Sequence, residues 1–259
     1  MKARRRKFEE FVWAIGLHRP AIRIYRMIDT RRNYNTACLH EFYRAILKPG
    51  DLAFDIGANT GSYADVMESL GARVIAVEPN ADCIRHIDIT YPGRRIQTIL
   101  AAVGPKNGLL TINISDKFDD MSTVSGEWVK SDLKRRGPQA PEIWNRRLTV
   151  PCITLDTLIE TFGSPDYIKI DIEGYESTVL DGLSTQPPLL SFEFHSFYPE
   201  GALECVRKPV LGPASAFNIT NERGTQFELA IWTDREGIEQ IIADLKGTST
   251  YRDIYVRKS

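Results

Sequence analysis

The run Leu52-Ala-Phe-Asp-Ile-Gly-Ala-Asn-Thr-Gly-Ser62, followed by Val74-Ile-Ala-Val-Glu-Pro79, restricts the fold of this 259-residue chain more than any other feature. An apolar strand ends in Asp55 and gives way to a small-residue turn with Gly57 and Gly61. Tyr63, Val66, Met67 and Leu70 then recur at i, i+3, i+4 and i+7, the period of an amphipathic helix, and Gly71 stops it. A second apolar strand ends in Glu78. Such a unit brings a ligand to the backbone N–H groups at a helix N-terminus, while an acid on the second strand takes a ribose diol. The pattern predicts a nucleoside-cofactor site.

The spacing narrows the cofactor. A dinucleotide fingerprint needs glycines at G-x-G-x-x-G so that a pyrophosphate can touch backbone. Here Asn59 stands where the middle glycine would fall, and Asp55, just before the turn, would repel phosphate. A carboxylate at that point suits a ligand with a cationic amino acid end, which describes S-adenosylmethionine.

The rest of the chain alternates strand and helix. Leu39, Phe42, Tyr43 and Ile46 share one face of a predicted helix over Thr36–Leu47, ended by Pro49-Gly50. Strands are expected at 51–56 and 73–78, with helices at 61–70 and 80–89, then strands at Ile96–Val103 and Leu109–Ile114. Residues 115–147 turn polar and Pro-interrupted, with a short helix near 124–136, and are read as a substrate lid or insertion. Leu148–Ile153, Asp166–Ile172, Leu189–His195, Phe217–Thr220, Phe227–Ile231 and Asp253–Val256 read as further strands. Leu155, Leu158, Ile159 and Phe162 make one helix stripe, another helix runs through Leu183, and Ile238, Ile241, Ile242 and Leu245 mark a last one. The expected fold is α/β: a doubly wound, mostly parallel Rossmann-like sheet with an antiparallel edge strand, plus N-terminal helices. The predicted division is a basic helical cap over 1–49 and a catalytic domain over 50–259.

At 42% hydrophobic and 26% charged residues the composition is that of a globular domain. No apolar run reaches the length of a membrane span, the first residues lack a secretion-signal core, and Cys38, Cys83, Cys152 and Cys205 show no C-x-x-C pair. The expectation is a cytoplasmic protein without disulfides or structural zinc. Residues 1–50 carry 12 Lys/Arg against 4 Asp/Glu, while 51–259 carry 21 against 30. The basic N-terminal helix is expected to be a solvated edge. Peripheral contact with an anionic membrane is the alternative, and no nucleic-acid partner is expected.

In open α/β sheets ligands sit outside the carboxyl ends of the strands. Besides Asp55, the run Ile168-Lys-Ile-Asp-Ile-Glu-Gly174 delivers Asp171 and Glu173, and Ser191-Phe-Glu-Phe-His195 delivers Glu193 and His195. Strand alternation sends Glu193 and His195 to the same face. Methyl transfer to a hydroxyl needs alignment with the sulfonium methyl and a proton acceptor. His195 fits by type; Asp171 or Glu173 fits if burial raises its pKa, though either could simply cap the next helix. Asp171, Glu173, Glu193 and His195 could also share a metal, but no spacing signature demands one and none is expected.

Phe54-Asp-Ile-Gly-Ala-Asn-Thr-Gly61, Val77-Glu-Pro-Asn80, Ala101-Ala-Val-Gly104, Val150-Pro-Cys-Ile-Thr-Leu-Asp-Thr-Leu158 and Ile168-Lys-Ile-Asp-Ile-Glu-Gly-Tyr-Glu176 together resemble the FkbM family of S-adenosylmethionine-dependent methyltransferases. The resemblance spans roughly residues 48–195. It implies a class I methyltransferase fold and, usually, O-methylation of sugars or natural-product hydroxyls. Carried over, it places Asp55, Gly57, Ala58, Asn59, Gly61 and Ser62 around the methionine and ribose part. Glu78 would hold the ribose hydroxyls, with Pro79, Asn80, Ala101 and Ala102 beside the adenosine. Family members often have Asn where this chain has Ala101, so a contact there would come from backbone. Asp171 and Glu173 match the late acidic motif, which leaves their roles open between cofactor, substrate and cap. The expected acceptor is a small molecule or glycan. A nicotinamide-dependent oxidoreductase and a non-catalytic S-adenosylmethionine-binding module are the competing readings.

Overall fold

The computed structural model describes residues 30–91, 93–114, 125–136, 146–248 and 250–258. The basic stretch at the start of the chain and much of the expected lid lie outside these residues.

Short apolar segments alternate with amphipathic helices. In chain order, α1 (Thr30–Ile46) leads into β1 (Leu52–Ile56), α2 (Ser62–Ser69), β2 (Arg73–Val77), α3 (Ala81–Thr90) and β3 (Ile96–Ile99). Then come β4 (Ala102–Val103), β5 (Gly108–Ile114), α4 (Gly126–Arg136), β6 (Arg146–Ile153), α5 (Leu155–Phe162) and β7 (Tyr167–Ile170). The remainder is α6 (Glu176–Leu180), β8 (Leu189–His195), α7 (Pro199–Val206), β9 (Ala216–Ile219), α8 (Arg235–Leu245) and β10 (Tyr251–Arg257).

Seven strands form one sheet in the order β3-β2-β1-β7-β8-β10-β9. The pairs from β3 to β8 are parallel, while β10 runs antiparallel to both β8 and β9. The expected doubly wound sheet is present, with its antiparallel pairing at the β9 edge; the reversed strand is β10, set one place in. The order reverses between β1 and β7, which opens a crevice at their carboxyl ends.

Two segments depart from the sequence expectation. The strand expected over Ile96–Val103 divides, because the Ala101 N–H turns back to the Ile99 carbonyl at 3.1 Å. Its second half, β4, joins a separate three-stranded sheet, β4-β6-β5. The strand expected at Phe227–Ile231 is reduced to an isolated bridge between Thr220 and Phe227.

Alternation divides the core in two. Phe54, Ile56, Ile75, Val77, Ile168, Ile170, Phe192 and Phe194 pack on one face. Ala53, Val74, Ala76, Tyr167 and Tyr255 pack on the other, together with Phe42, Tyr43 and Leu47 from the α1 end. The second face also carries the buried ionisable cluster at the strand ends, since Asp55, Lys169, Asp171, Glu193, His195 and Asp253 share the parity of Ala53, Tyr167 and Tyr255. Beneath them the Tyr167 hydroxyl lies 2.7 Å from Ser191 Oγ and donates to Tyr255 at 3.3 Å, forming a buried polar floor.

Candidate active site

The turn after β1 is held by its own backbone and by Glu78. The amides of Gly57 and Ala58 donate to the Val77 carbonyl at 2.9 and 3.1 Å. Glu78 Oε2 accepts the Asn59 N–H and Oε1 the Asn80 N–H, both at 2.9 Å. Asn59 takes φ 47°, a left-handed conformation that asparagine tolerates better than most residues. Gly57, at φ 81°, has a further reason to be glycine: a Cβ there would sit 1.9 Å from the Asp171 carbonyl oxygen. The turn after β1 and the end of β7 thus touch across the crevice. Gly61 caps α2 with φ 78° and no side chain, and Asn80 caps α3 by accepting the Asp82 N–H.

Asp55 is 1% exposed, and neither of its carboxylate oxygens has a hydrogen-bond partner of good geometry among the described residues. Burial pushes its carboxyl up to about 6, against the pull of Lys169 and the Ala64 amide. An unpaired buried anion is costly unless a ligand completes it. Burial likewise raises Glu78 to about 7, against its two amide partners, and each of its oxygens retains a lone pair for a ribose hydroxyl. A cationic amino group at Asp55 and a diol at Glu78 are what S-adenosylmethionine presents, so these residues fit that cofactor. Ala58, Ala101 and Ala102 are buried small residues, and the Glu78 N–H donates to the carbonyl of Ile99, two residues before Ala101, at 3.0 Å.

Across the crevice the ends of β7 and β8 form a second cluster. Lys169, 2% exposed, donates to Asp171 Oδ2 at 2.5 Å and lies 4.2 Å over the Tyr63 ring. Burial pulls the Lys169 ammonium down, but Asp171, with Tyr63, Asp253 and Asp55 beyond it, outweighs this and holds it well above the lysine range. Burial pushes Asp171 up, and the adjacent ammonium more than offsets that, leaving it below the usual carboxylate range. His195 Nε2 lies 2.9 Å from Glu193 Oε2 and 3.4 Å from Glu173 Oε2. Burial lowers the imidazole pKa, yet the two carboxylates outweigh it and hold His195 well above its ordinary 6.5. Burial and the nearby Asp171 charge hold Glu193 well above 4.5. Ligating atoms of Glu173, Glu193 and His195 lie within 4.8 Å of one another, close enough to hold a metal ion.

Glu193 and His195 therefore share a face, as alternation requires, and Glu173 joins them. The capping alternative for Asp171 and Glu173 is answered by a residue that sequence reasoning passed over. Glu176 Oε1 accepts the Ile172 and Gly174 N–H groups at 3.1 and 3.0 Å and closes the turn before α6. Lys169 and Asp253 were also missed. Lys169 was visible as a lone cation within the apolar strand Tyr167-Ile-Lys-Ile170. Asp253 becomes relevant only because β10 pairs it with Glu193; burial raises it to about 6.

Among the described residues no helix is long and apolar enough to cross a membrane, and all four cysteines are free. None of the curated protein sequences matches the chain. Solved structures similar to it include the plantazolicin methyltransferase BpumL in complex with a monoazolic desmethylPZN analog and SAH, at 10% identity over 97% of this chain and 94% of that one, TM-score 0.40. Precorrin-6y C5,15-methyltransferase from Geobacter metallireducens is 14% identical over 88% of this chain and 87% of that one, TM-score 0.38. Aeropyrum pernix fibrillarin with natively bound S-adenosyl-L-methionine is 10% identical over 81% and 67%, TM-score 0.40. The methyltransferase FkbM domain matches residues 55–240, from the Asp55 turn to the last helix, and the chain belongs to this family of S-adenosylmethionine-dependent methyltransferases.

Proposed function

We propose that the protein O-methylates a hydroxyl of a sugar or natural-product small molecule, with His195 as proton acceptor in the acceptor crevice. The observation that carries this reading is the His195 imidazole held between Glu193 and Glu173 at the carboxyl ends of β7 and β8. The cofactor, when bound, supplies an electrophilic methyl on a sulfonium centre. Asp55 would hold its amino group and Glu78 its ribose, with the turn from Gly57 to Ser62 and the stretch from Pro79 to Asn80 beside it. Asp171 stays ionised beside Lys169 and is therefore a poor proton acceptor. His195 takes the hydroxyl proton once its own proton is lost, and Glu193 and Glu173 stabilise the imidazolium that results. Because both carboxylates raise the imidazole pKa, turnover should climb with pH through a value above 6.5.

The test is transfer of an isotopically labelled methyl from S-adenosylmethionine to a panel of sugars and polyhydroxylated metabolites, with the linkage assigned by NMR. A methyl ether supports the reading, whereas a product methylated on nitrogen or carbon overturns it. Turnover abolished by chelator and restored by a divalent cation would move Glu173, Glu193 and His195 from proton transfer to metal binding.

A further inference from the structure

The helix α4 is mostly polar, yet it buries one indole almost completely: Trp128 is 2% exposed. Ser125 caps the helix, accepting the Trp128 N–H on its hydroxyl at 3.0 Å, which fixes the first turn and the direction of the indole. The ring lies directly on Gly174, where a Cβ would stand 2.3–2.5 Å from Trp128 Cδ1, Cγ and Cβ. Gly174 follows Glu173, so the indole rests on the turn that presents this carboxylate. The indole also meets His195 at 5.7 Å between ring centroids and 68° between planes, and Phe197 at 5.8 Å. Phe197 in turn lies 5.0 Å from the His195 ring, and Arg135, farther along α4, stacks over Phe197 at 4.8 Å.

An imidazole rotates about a broad torsion and is not held in one orientation by its rotamer alone. A ring flip would move Nε2 away from Glu193 and Glu173. Trp128 and Phe197 both pack against the ring that would have to turn. We infer that Trp128 is a positioning residue for methyl transfer: its indole wedges between the Glu173–Gly174 turn and His195 and keeps Nε2 facing both carboxylates. The charged groups around that imidazole are Glu193 on its own strand, Glu173 and Asp171 from the end of β7, Glu176 behind the turn and Asp253 on β10. Trp128 bears no charge, so it acts on the imidazole by orienting it and by keeping water from it; loss of orientation lowers the titration of His195, whereas loss of burial alone would raise it.

The effect on turnover rests on the proton-acceptor reading of His195; the effect on the imidazole does not. The experiment follows the His195 ring by nitrogen-15 NMR across a pH titration of the full chain saturated with S-adenosylhomocysteine, in wild type, W128L and W128F. Leucine keeps apolar volume but loses the ring edge, and phenylalanine restores an edge. In W128L the His195 titration should move toward the ordinary histidine value, and turnover should fall by at least about tenfold with cofactor affinity preserved. W128F should recover most of both. In the wild-type protein, indole and imidazole protons should show a nuclear Overhauser contact. Absence of that contact, or a wild-type His195 titration in W128L, overturns the inference. Wild-type turnover in His195→Ala overturns only the role of His195 as proton acceptor.

Discussion

The two sides of the crevice handle buried charge in opposite ways. On the cofactor side Asp55 is an anion with no hydrogen-bond partner of good geometry, in a setting where nearly every backbone amide of the turn is already used. On the acceptor side the charges are mutually matched: Lys169 with Asp171, and His195 with Glu193 and Glu173. A site that must bind a cation tightly benefits from a carboxylate left incomplete until the ligand arrives. A site that must move a proton benefits from groups already hydrogen-bonded to one another, because the proton then shifts along existing contacts.

Removing the imidazole should have the largest effect. His195→Ala should lower turnover by about 10²–10⁴ while S-adenosylhomocysteine affinity, measured by calorimetry, stays near wild type. In the wild-type pH–rate profile the rising limb should fall above 6.5, because the carboxylates raise the folded-state imidazole pKa. A limb at or below 6.5, or an unaffected variant, would remove His195 from proton transfer.

Breaking the matched charges on the acceptor side should come next. Lys169→Met leaves Asp171 and Asp55 facing one another without the ammonium, and should destabilise the protein by about 3–5 kcal/mol in urea unfolding. A loss under about 1 kcal/mol would mean that the ion pair is not the element holding this face together.

On the cofactor side the same kind of change should act in reverse on stability. The folded-state pKa of Asp55 is raised from 3.8 to about 6, so the native state keeps this proton at a pH where the unfolded chain has lost it. Its contribution to stability is complete below about 4 and is lost as pH rises through about 6. Asp55→Asn should therefore be more stable than wild type at pH 8, by up to about 3 kcal/mol, with a correspondingly higher melting temperature, and gain nothing at pH 4. The same variant should bind S-adenosylhomocysteine at least about tenfold more weakly. Equal melting at pH 8 would show that Asp55 is not strained in the unliganded protein.

The smallest effect is expected at Asn59. Its left-handed φ of 47° is one that glycine adopts freely, so Asn59→Gly should change stability by less than about 1 kcal/mol. Loss of S-adenosylhomocysteine binding in that variant would show that the asparagine side chain contacts the ligand.

Much of the cofactor side was legible from sequence. Gly57, Asn59, Gly61 and Glu78 lie within one strand–turn–helix–strand unit, where local geometry sets the course of the backbone, and Asp55 lies just before the turn. The acceptor side was legible only in part. Glu193 and His195 belong to one strand, so alternation put them together. Trp128 lies 67 residues before His195. It stands in a polar, Pro-interrupted segment where nothing local marks an indole as buried. The capping role taken by Glu176 was hidden for a related reason: three acidic residues lie within Asp171–Glu176, and spacing does not tell which one turns back onto the amides.

The amino-acid sequence by itself determined the alternation of strands and helices, the glycine turn after the first strand and the parity that puts Glu193 with His195 on one face of their strand. These are consequences of the two-residue period of a strand and of local turn chemistry. Tertiary structure alone decided that β7 stands beside β1, bringing the Asp171 carbonyl against Gly57. It also set β10 beside β8, so that Asp253 meets Glu193, and seated Trp128 on Gly174 against His195. Those contacts join residues far apart in the chain, and their geometry follows from sheet order and close packing, which no local pattern encodes.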